Sequence, residues 1–221
     1  TVYVQMFSFC GGILAVFIAA TATRRFSMDP ILGLVLGGMM VSTLFQSGTS
    51  TIKILADADN KLPQITFWLM GSFNVMNKAK LFSILIPIGA GFLILFLVRW
   101  QLNVLSFGED EASSLGIKTK RIRSMVIIAS TLITASCVSV CGMVGWVGLV
   151  IPHAGRALAG PDYRRLLPVC AILGSTFLLL VDDVARTAFM VELPIGILTS
   201  FIGVPFFMFI FKSGVNKGGS A

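Results

Sequence analysis

The sequence predicts an all-α, polytopic transmembrane helical bundle, and three observations lead to that fold class. Of the 221 residues, 56% are hydrophobic and only 12% are charged. Soluble domains carry about twice that share of charged residues. The mean hydropathy is +0.91. Long apolar segments alternate with short polar ones, which is the arrangement expected of a chain that crosses a bilayer repeatedly.

Spanning segments are predicted where about 20 consecutive residues are mainly apolar. A shorter apolar segment, 62–74, contains Trp68 between two phenylalanines and suits an interfacial or re-entrant helix. Residues 46–60 are polar and predict a loop, and 101–123 predict an aqueous segment with one or two short helices. About seven crossings are predicted, at 4–22, 31–45, 81–98, 124–144, 145–159, 166–190 and 194–211.

Lysine and arginine are divided unequally between the two sides of the predicted bundle. The net charge of +7 does not indicate nucleic acid as a partner, because the basic residues form short runs between apolar segments. The positive-inside rule predicts that the more basic side is cytoplasmic. That side holds Arg24, Arg25, Arg99, Lys118, Lys120, Arg121, Arg123, Arg156, Arg164, Arg165, Lys212 and Lys217, against Lys53, Lys61, Lys78 and Lys80 on the other.

The chain is predicted to form one transmembrane domain over residues 1–221 that lacks its N-terminal part. It begins at Thr1 and has neither a charged n-region nor a cleavage site, so the first apolar segment is not a signal peptide. All four cysteines lie in apolar segments. Cys137 and Cys141 share a helix face, and packing is favoured over metal binding for both.

The segment GEDEASSLGI, residues 108–117, joins two predicted spans on the basic side. Its acidic and small residues suit a short amphipathic helix lying along the membrane face. From composition alone, a solvated loop is the favoured interpretation.

A second segment, 142–168, contains the helix-breaking or small residues Gly145, Gly148 and Pro152. Backbone groups freed by such breaks must be buried in protein or face a cavity, so a broken helix or gate is predicted here. His153 is the only histidine. A structural hydrogen bond is favoured for it, and a metal ligand or a catalytic group of an intramembrane enzyme is the alternative.

A third segment, 181–207, places Asp182, Asp183 and Arg186 in an otherwise apolar helix near Glu192. Ionisable residues inside a membrane are costly and are usually functional. Asp182 and Arg186 are four residues apart and can pair on one helix face. A proton relay in an ion-coupled secondary transporter, a structural ion pair and a docking contact all remain open.

Together and in this order, the three segments resemble the FecCD-type permeases, which import iron-siderophores, haem and vitamin B12 as subunits of type II ABC importers. The resemblance runs over about residues 31–211 and depends on GLVIPH, ELPIG and IGVPFF. Members of that family have about ten helices, and this chain resembles the part from the fourth helix onward.

The resemblance implies roles for particular residues. Glu109, Ala112, Leu115 and Gly116 match the coupling helix that docks on the ATPase subunit. Arg186 matches the position that helps to dock the substrate-binding protein, with Asp182 as its local partner.

The resemblance also implies partners, substrate and location. These are a separate ABC ATPase, a periplasmic or lipid-anchored binding protein, a permease homodimer and the lipid of a bacterial or archaeal inner membrane. The chain has no nucleotide-binding P-loop, so ATP is expected on the partner subunit, with neither cofactor nor enzyme activity here. Iron-siderophore is the expected substrate, with haem, cobalamin and oxyanions as alternatives.

Overall fold

The molecule is an all-α protein, as the sequence predicts. A computed structural model describes residues 2–25, 30–74, 76–188 and 193–218, and in these ranges it has helices and no strands. The helices are α1 (Val2–Arg25), α2 (Pro30–Leu55), α3 (Lys61–Met70), α4 (Lys78–Leu105), α5 (Glu109–Ser114), α6 (Thr119–Cys141), α7 (Val147–Ala159), α8 (Tyr163–Thr187) and α9 (Ile195–Gly218).

Within the described ranges, five helices, α1, α2, α4, α6 and α8, are long and apolar enough to cross a membrane. Two shorter apolar helices, α7 and the part of α9 over Ile195–Met208, bring the total to the seven predicted crossings if both of them also cross. Large apolar side chains on the long helices are widely exposed, such as Phe82 at 66% and Leu97 at 67%. Lipid is the solvent that accepts such a surface, so the chain is a multi-pass membrane protein.

Helix α2 extends well beyond the predicted boundary, so the predicted loop at 46–60 is wrong over its first ten residues. Those residues are rich in serine and threonine, which lowers their hydropathy. Their hydroxyls donate to carbonyl oxygens four residues earlier, as Ser47 does to Thr43 at 3.0 Å and Thr51 to Ser47 at 3.0 Å. The polar groups are therefore satisfied inside the helix, which continues through them.

Helices α4 and α6 form the most extensive packing pair, and small residues let their backbones approach. A Cβ at Gly91 of α4 would lie 2.8 Å from the carbonyl oxygen of Ala129 in α6. Ala129 itself is fully buried. The two helices and the connection between them therefore form a tightly packed αα-hairpin with α5 at its tip.

The chain is broken between α6 and α7, over residues 142–146. Gly142 and Trp146 adopt left-handed backbone conformations there, with φ of 73° and 65°. Pro152 lies inside α7 and does not end it, which corrects the predicted position of the break. Proline is tolerated within membrane helices where neighbouring groups satisfy the carbonyl it leaves free.

Candidate functional site

Helix α5 lies on the basic side of the bundle, as its position between α4 and α6 requires. Gly108 precedes it with a φ of 129°, and the acidic residues Glu109, Asp110 and Glu111 occupy its first turn. Negative side chains are favourable at a helix N-terminus. Ala112 is completely buried, so this face of α5 rests on the molecule itself.

The segment is also fastened to the start of α6. Arg123 forms an ion pair with Glu109, and the Ile117 N–H donates to the Ala112 carbonyl oxygen at 3.0 Å. Glu109 and Ala112 therefore position the segment. The family resemblance grouped them with Leu115 and Gly116, and it did not distinguish residues that face the molecule from residues that face outward.

Leu115 and Gly116 form the outer side of the same segment. The Leu115 side chain is 70% exposed, and Gly116 has a φ of 77° with open space around its Cα. Phe107, on the other side of α5, is 78% exposed. Phe107 is not among the residues predicted from the sequence, although an exposed aromatic residue in a charged aqueous segment is itself a signal of a contact surface.

A polar cluster beside the hairpin ties α4 to α8. The Asn103 side chain donates to Asp162 Oδ1 at 2.5 Å and accepts from the Tyr163 N–H at 2.8 Å. Asp162 also caps α8 by accepting from the Arg164 N–H at 2.9 Å. The Arg164 N–H and then the Asn103 amide hold the pKa of the Asp162 carboxyl below its ordinary value. Sequence rules identify Asp162 as a cap but not its partner in α4.

The structure brings Asp182 and Arg186 together at the end of α8, with Arg186 Nε 2.9 Å from Asp182 Oδ2. The Arg186 side chain is 42% exposed and the Asp182 side chain 17% exposed. Asp183 is exposed on a different face of the helix. Glu192 lies outside the described residues.

His153 and its neighbours occupy α7. The ring nitrogen Nδ1 lies 2.8 Å from the Leu149 carbonyl oxygen, and the ring packs edge-on against Phe207 of α9. Among the described residues, no group of three or more metal-ligating side chains is present. The geometry around His153 is that of a structural hydrogen bond. Gly148 has open space around its Cα.

An apolar cleft of about 690 Å³ lies where α3, the 142–146 break and α9 meet. Its lining includes Met70 from α3, Met143 and Gly145 from the break, and Phe201 from α9. Among the described residues of the lining, the one hydroxyl belongs to Ser200, which donates to the Gly196 carbonyl oxygen at 2.7 Å. The cleft therefore offers weak, mainly apolar contacts. Gly145 is the predicted gate residue that lines it.

The comparison with family models identifies the chain. The model of the FecCD transport family matches residues 1–213. The chain belongs to the FecCD transport family. The resemblance drawn from the three sequence segments is thereby confirmed.

Individual relatives are similar over most of the chain. The molybdate import system permease protein MolB of Haemophilus influenzae is 42% identical over 196 residues, which are 88% of this chain and 58% of that protein. A permease protein of Helicobacter pylori assigned to an iron chelatin transport system is 36% identical over 207 residues, 94% of this chain and 63% of that protein. This chain thus spans about three-fifths of the relatives' length.

A solved structure shares the fold closely. It is described as an inward-facing conformation of a metal-chelate type ABC transporter. It superposes with a TM-score of 0.84 at 38% identity, covering 95% of this chain and 74% of that one. The helical permease fold predicted from the sequence is confirmed by this likeness.

Proposed function

We propose that this chain forms the membrane pathway and the ATPase-docking segment of an ABC importer for ferric chelates. The observation that carries the proposal is the tip of the α4–α6 hairpin. There the two exposed apolar side chains, Leu115 and Phe107, flank a short helix that is held in place from its other side. Membership of the FecCD transport family supports the same assignment.

The docking surface has the features expected of a contact between subunits. Protein interfaces usually have a rigid apolar side chain near their centre and polar or charged residues around it. Leu115 is the anchor, and Ala112 and the Glu109–Arg123 ion pair keep the segment from moving independently. ATP is bound and hydrolysed on the separate ATPase, so this chain needs no cofactor of its own.

The opposite end of the bundle is proposed to receive a substrate-binding protein through Arg186. Its guanidinium is partly exposed beyond the last apolar turn of α8, and Asp182 fixes its orientation. Arginine in a fixed orientation suits recognition of a carboxylate on a partner. A second copy of the permease completes the pathway in a bacterial or archaeal inner membrane.

The cleft favours a bulky, weakly held substrate. Among the described residues that line it, none is charged. A small oxyanion requires cationic or hydrogen-bonding groups to leave water, whereas a large chelate presents apolar surface of its own. Ferric chelates are therefore the proposed substrates. Molybdate is the second candidate, because MolB is 42% identical to this chain.

The docking proposal is tested by co-purification of the permease with its ATPase from membranes. Leu115→Ala is expected to reduce ATPase retention by about tenfold, since truncating a central anchor costs more than about 1 kcal/mol. Leu158→Ala is the matched control, because Leu158 is a leucine of similar exposure, 73%, that belongs to α7 and not to the α5 segment. Gly116 is less suitable, since any side chain there also strains the backbone.

Equal retention in the two variants would remove Leu115 from the interface. If the unmodified protein retains no ATPase at all, the ion-coupled transporter that uses Asp182, Asp183 and Arg186 replaces the importer. Substrate is assigned separately, by uptake of ferric chelates, haem, cobalamin and molybdate into proteoliposomes. Uptake of molybdate alone would overturn the chelate assignment.

A further inference from the structure

Three interruptions of the helices meet at the end of the molecule opposite α5. Helix α3 ends before Gly71, α6 ends before Gly142, and α9 begins at Ile195. The Ser72 N–H donates to the Cys141 carbonyl oxygen at 2.9 Å, and the Ile195 N–H donates to the Gly71 carbonyl oxygen at 3.0 Å. The short segment after α3 is thus hydrogen-bonded through its backbone to both other helices.

Gly71, Gly142 and Gly196, here termed the glycine junction, allow this approach. A Cβ at Gly71 would lie 2.5 Å from the Met143 carbonyl oxygen, and one at Gly196 would lie 2.5 Å from the Met70 carbonyl oxygen. A Cβ at Gly142 would collide with the last turn of α3. In each case the obstacle is backbone, which cannot rotate away as a side chain can. Three separate segments are therefore in direct backbone contact.

Helix α6 connects this junction to the docking segment. Its 23 residues span about 35 Å. At its first turns, Arg123 is paired with Glu109 of α5. Further along, Ala129 meets Gly91 of α4 at backbone distance. The hairpin that carries α5 at one end thus ends in the junction at the other.

The junction also bounds the cleft. Met70, Met143 and Gly196, from its three segments, all line that space. The 142–146 break makes a second close contact with α9, because a Cβ at Gly203 would lie 2.5 Å from the Trp146 Cβ. The walls of the cleft formed by α3 and α9 are therefore attached to the end of α6.

We propose that the glycine junction makes α3, the end of α6 and the start of α9 move as one rigid body. A displacement of α5 by the ATPase then travels along α6 and moves both walls of the cleft together. This inference rests on the proposed function, because it takes the ATPase as the source of the displacement. It assigns to three glycines a positioning role in transport.

Spin-label distances measured by double electron–electron resonance test the rigid body. Cysteines replacing Phe67 of α3 and Phe201 of α9, both well exposed, form the internal pair, and Phe67 with Ile52 of α2 forms the external pair. The native cysteines are replaced by alanine, and labelled permease is diluted with unlabelled permease in nanodiscs with its ATPase. Distances are compared without nucleotide and with ATP trapped by vanadate.

A constant internal distance with a changed external distance supports the inference. A changed internal distance overturns this inference alone. In that case the ATPase is bound and active, but α3 and α9 move relative to each other. If neither distance changes, no displacement reaches the cleft and the inference is also overturned. If the ATPase is not retained, the proposed function fails together with it, and co-purification identifies that case.

A variant gives an independent readout. Gly196→Ala is expected to lower ATP-driven uptake several-fold while ATPase retention stays unchanged, because the docking segment is remote from the altered contact. Gly89→Ala is the control, since a Cβ at Gly89 of α4 meets nothing within 4 Å. Equal uptake in the two variants, with both proteins folded, would overturn the role of the junction.

Discussion

The two ends of the α4–α6 hairpin are held by different kinds of contact. At the docking end, side chains do the fastening: Arg123 pairs with Glu109, and the Asn103 amide joins Asp162. At the opposite end, the glycine junction is held by backbone hydrogen bonds between segments. These segments can approach so closely only because glycine has no side chain. The first end faces water, and the second lies among membrane helices.

The difference follows from the solvent at each end. In water, ion pairs and amide contacts are weak, because water can take the place of either partner. Such contacts suit a surface that binds and releases a partner. Where the ends of membrane helices pack together, irregular backbone must be satisfied within the protein, and direct backbone pairing satisfies it without burying polar side chains. Substitutions at the glycine junction should therefore lower stability most. Substitutions at the water-exposed sites should mainly change partner binding or the pH dependence of stability.

The largest effect is expected at the junction. Gly142→Ala forces a side chain into a positive-φ, extended conformation (φ 73°, ψ −164°) that is essentially restricted to glycine, which costs about 1–3 kcal/mol. The new Cβ would also press against the backbone of α3. We expect a loss of about 2 kcal/mol or more in stability, seen as a lower midpoint in fluorescence-detected thermal unfolding in detergent. Gly89→Ala should be neutral or slightly stabilising. Equal unfolding midpoints for Gly142→Ala and Gly89→Ala would show that the segments at the junction are not in the close backbone contact described above.

An intermediate effect is expected at the exposed end of α8. Arg186→Ala should weaken binding of the substrate-binding protein by about tenfold, as loss of an interfacial arginine contact does. The double variant Asp182→Arg/Arg186→Asp keeps an i,i+4 ion pair but moves the positive charge by one turn. Its stability should recover while binding does not. Recovered binding in the double variant would mean that the pair is only structural.

The smallest effect is expected at the aqueous polar cluster. Because the pKa of Asp162 is lowered on folding, its stabilising contribution is present above the unfolded pKa of about 3.9. It is lost as the pH falls through the lower folded pKa. Asp162→Asn should therefore flatten the fall in thermal stability at acid pH, measured between about pH 6 and pH 3. Asp59→Asn is the control, and identical profiles for the two variants would contradict the assignment.

The aqueous segment that contains α5 was predictable from the sequence, although its docking role remains a proposal. Acids, small residues and a basic surround, between two spans, indicate an aqueous segment, and α5 lies within it. Asp182 and Arg186 were also placed on one face by helical spacing alone. These features depend on neighbours in sequence, which periodicity can resolve.

The junction was not predictable in the same way. Gly71 and Gly196 are separated from Gly142 by whole helices, and no local pattern states which glycines meet. The end of α2 was misplaced for a related reason, because hydropathy counts a serine as polar whether or not its hydroxyl bonds to its own helix. In both cases the missing information is the location of a backbone group's partner.

The glycine junction has a consequence for how this chain can vary. Every nonsynonymous change at a glycine codon adds a Cβ, so Gly71, Gly142 and Gly196 have no neighbouring residue type that keeps their geometry. A substitution at one of them is compatible with the fold only if a second segment moves its backbone as well. Single substitutions at these positions are therefore expected to be rejected. Changes in substrate preference are expected instead in the side chains that line the cleft, and not in the glycine junction that supports it.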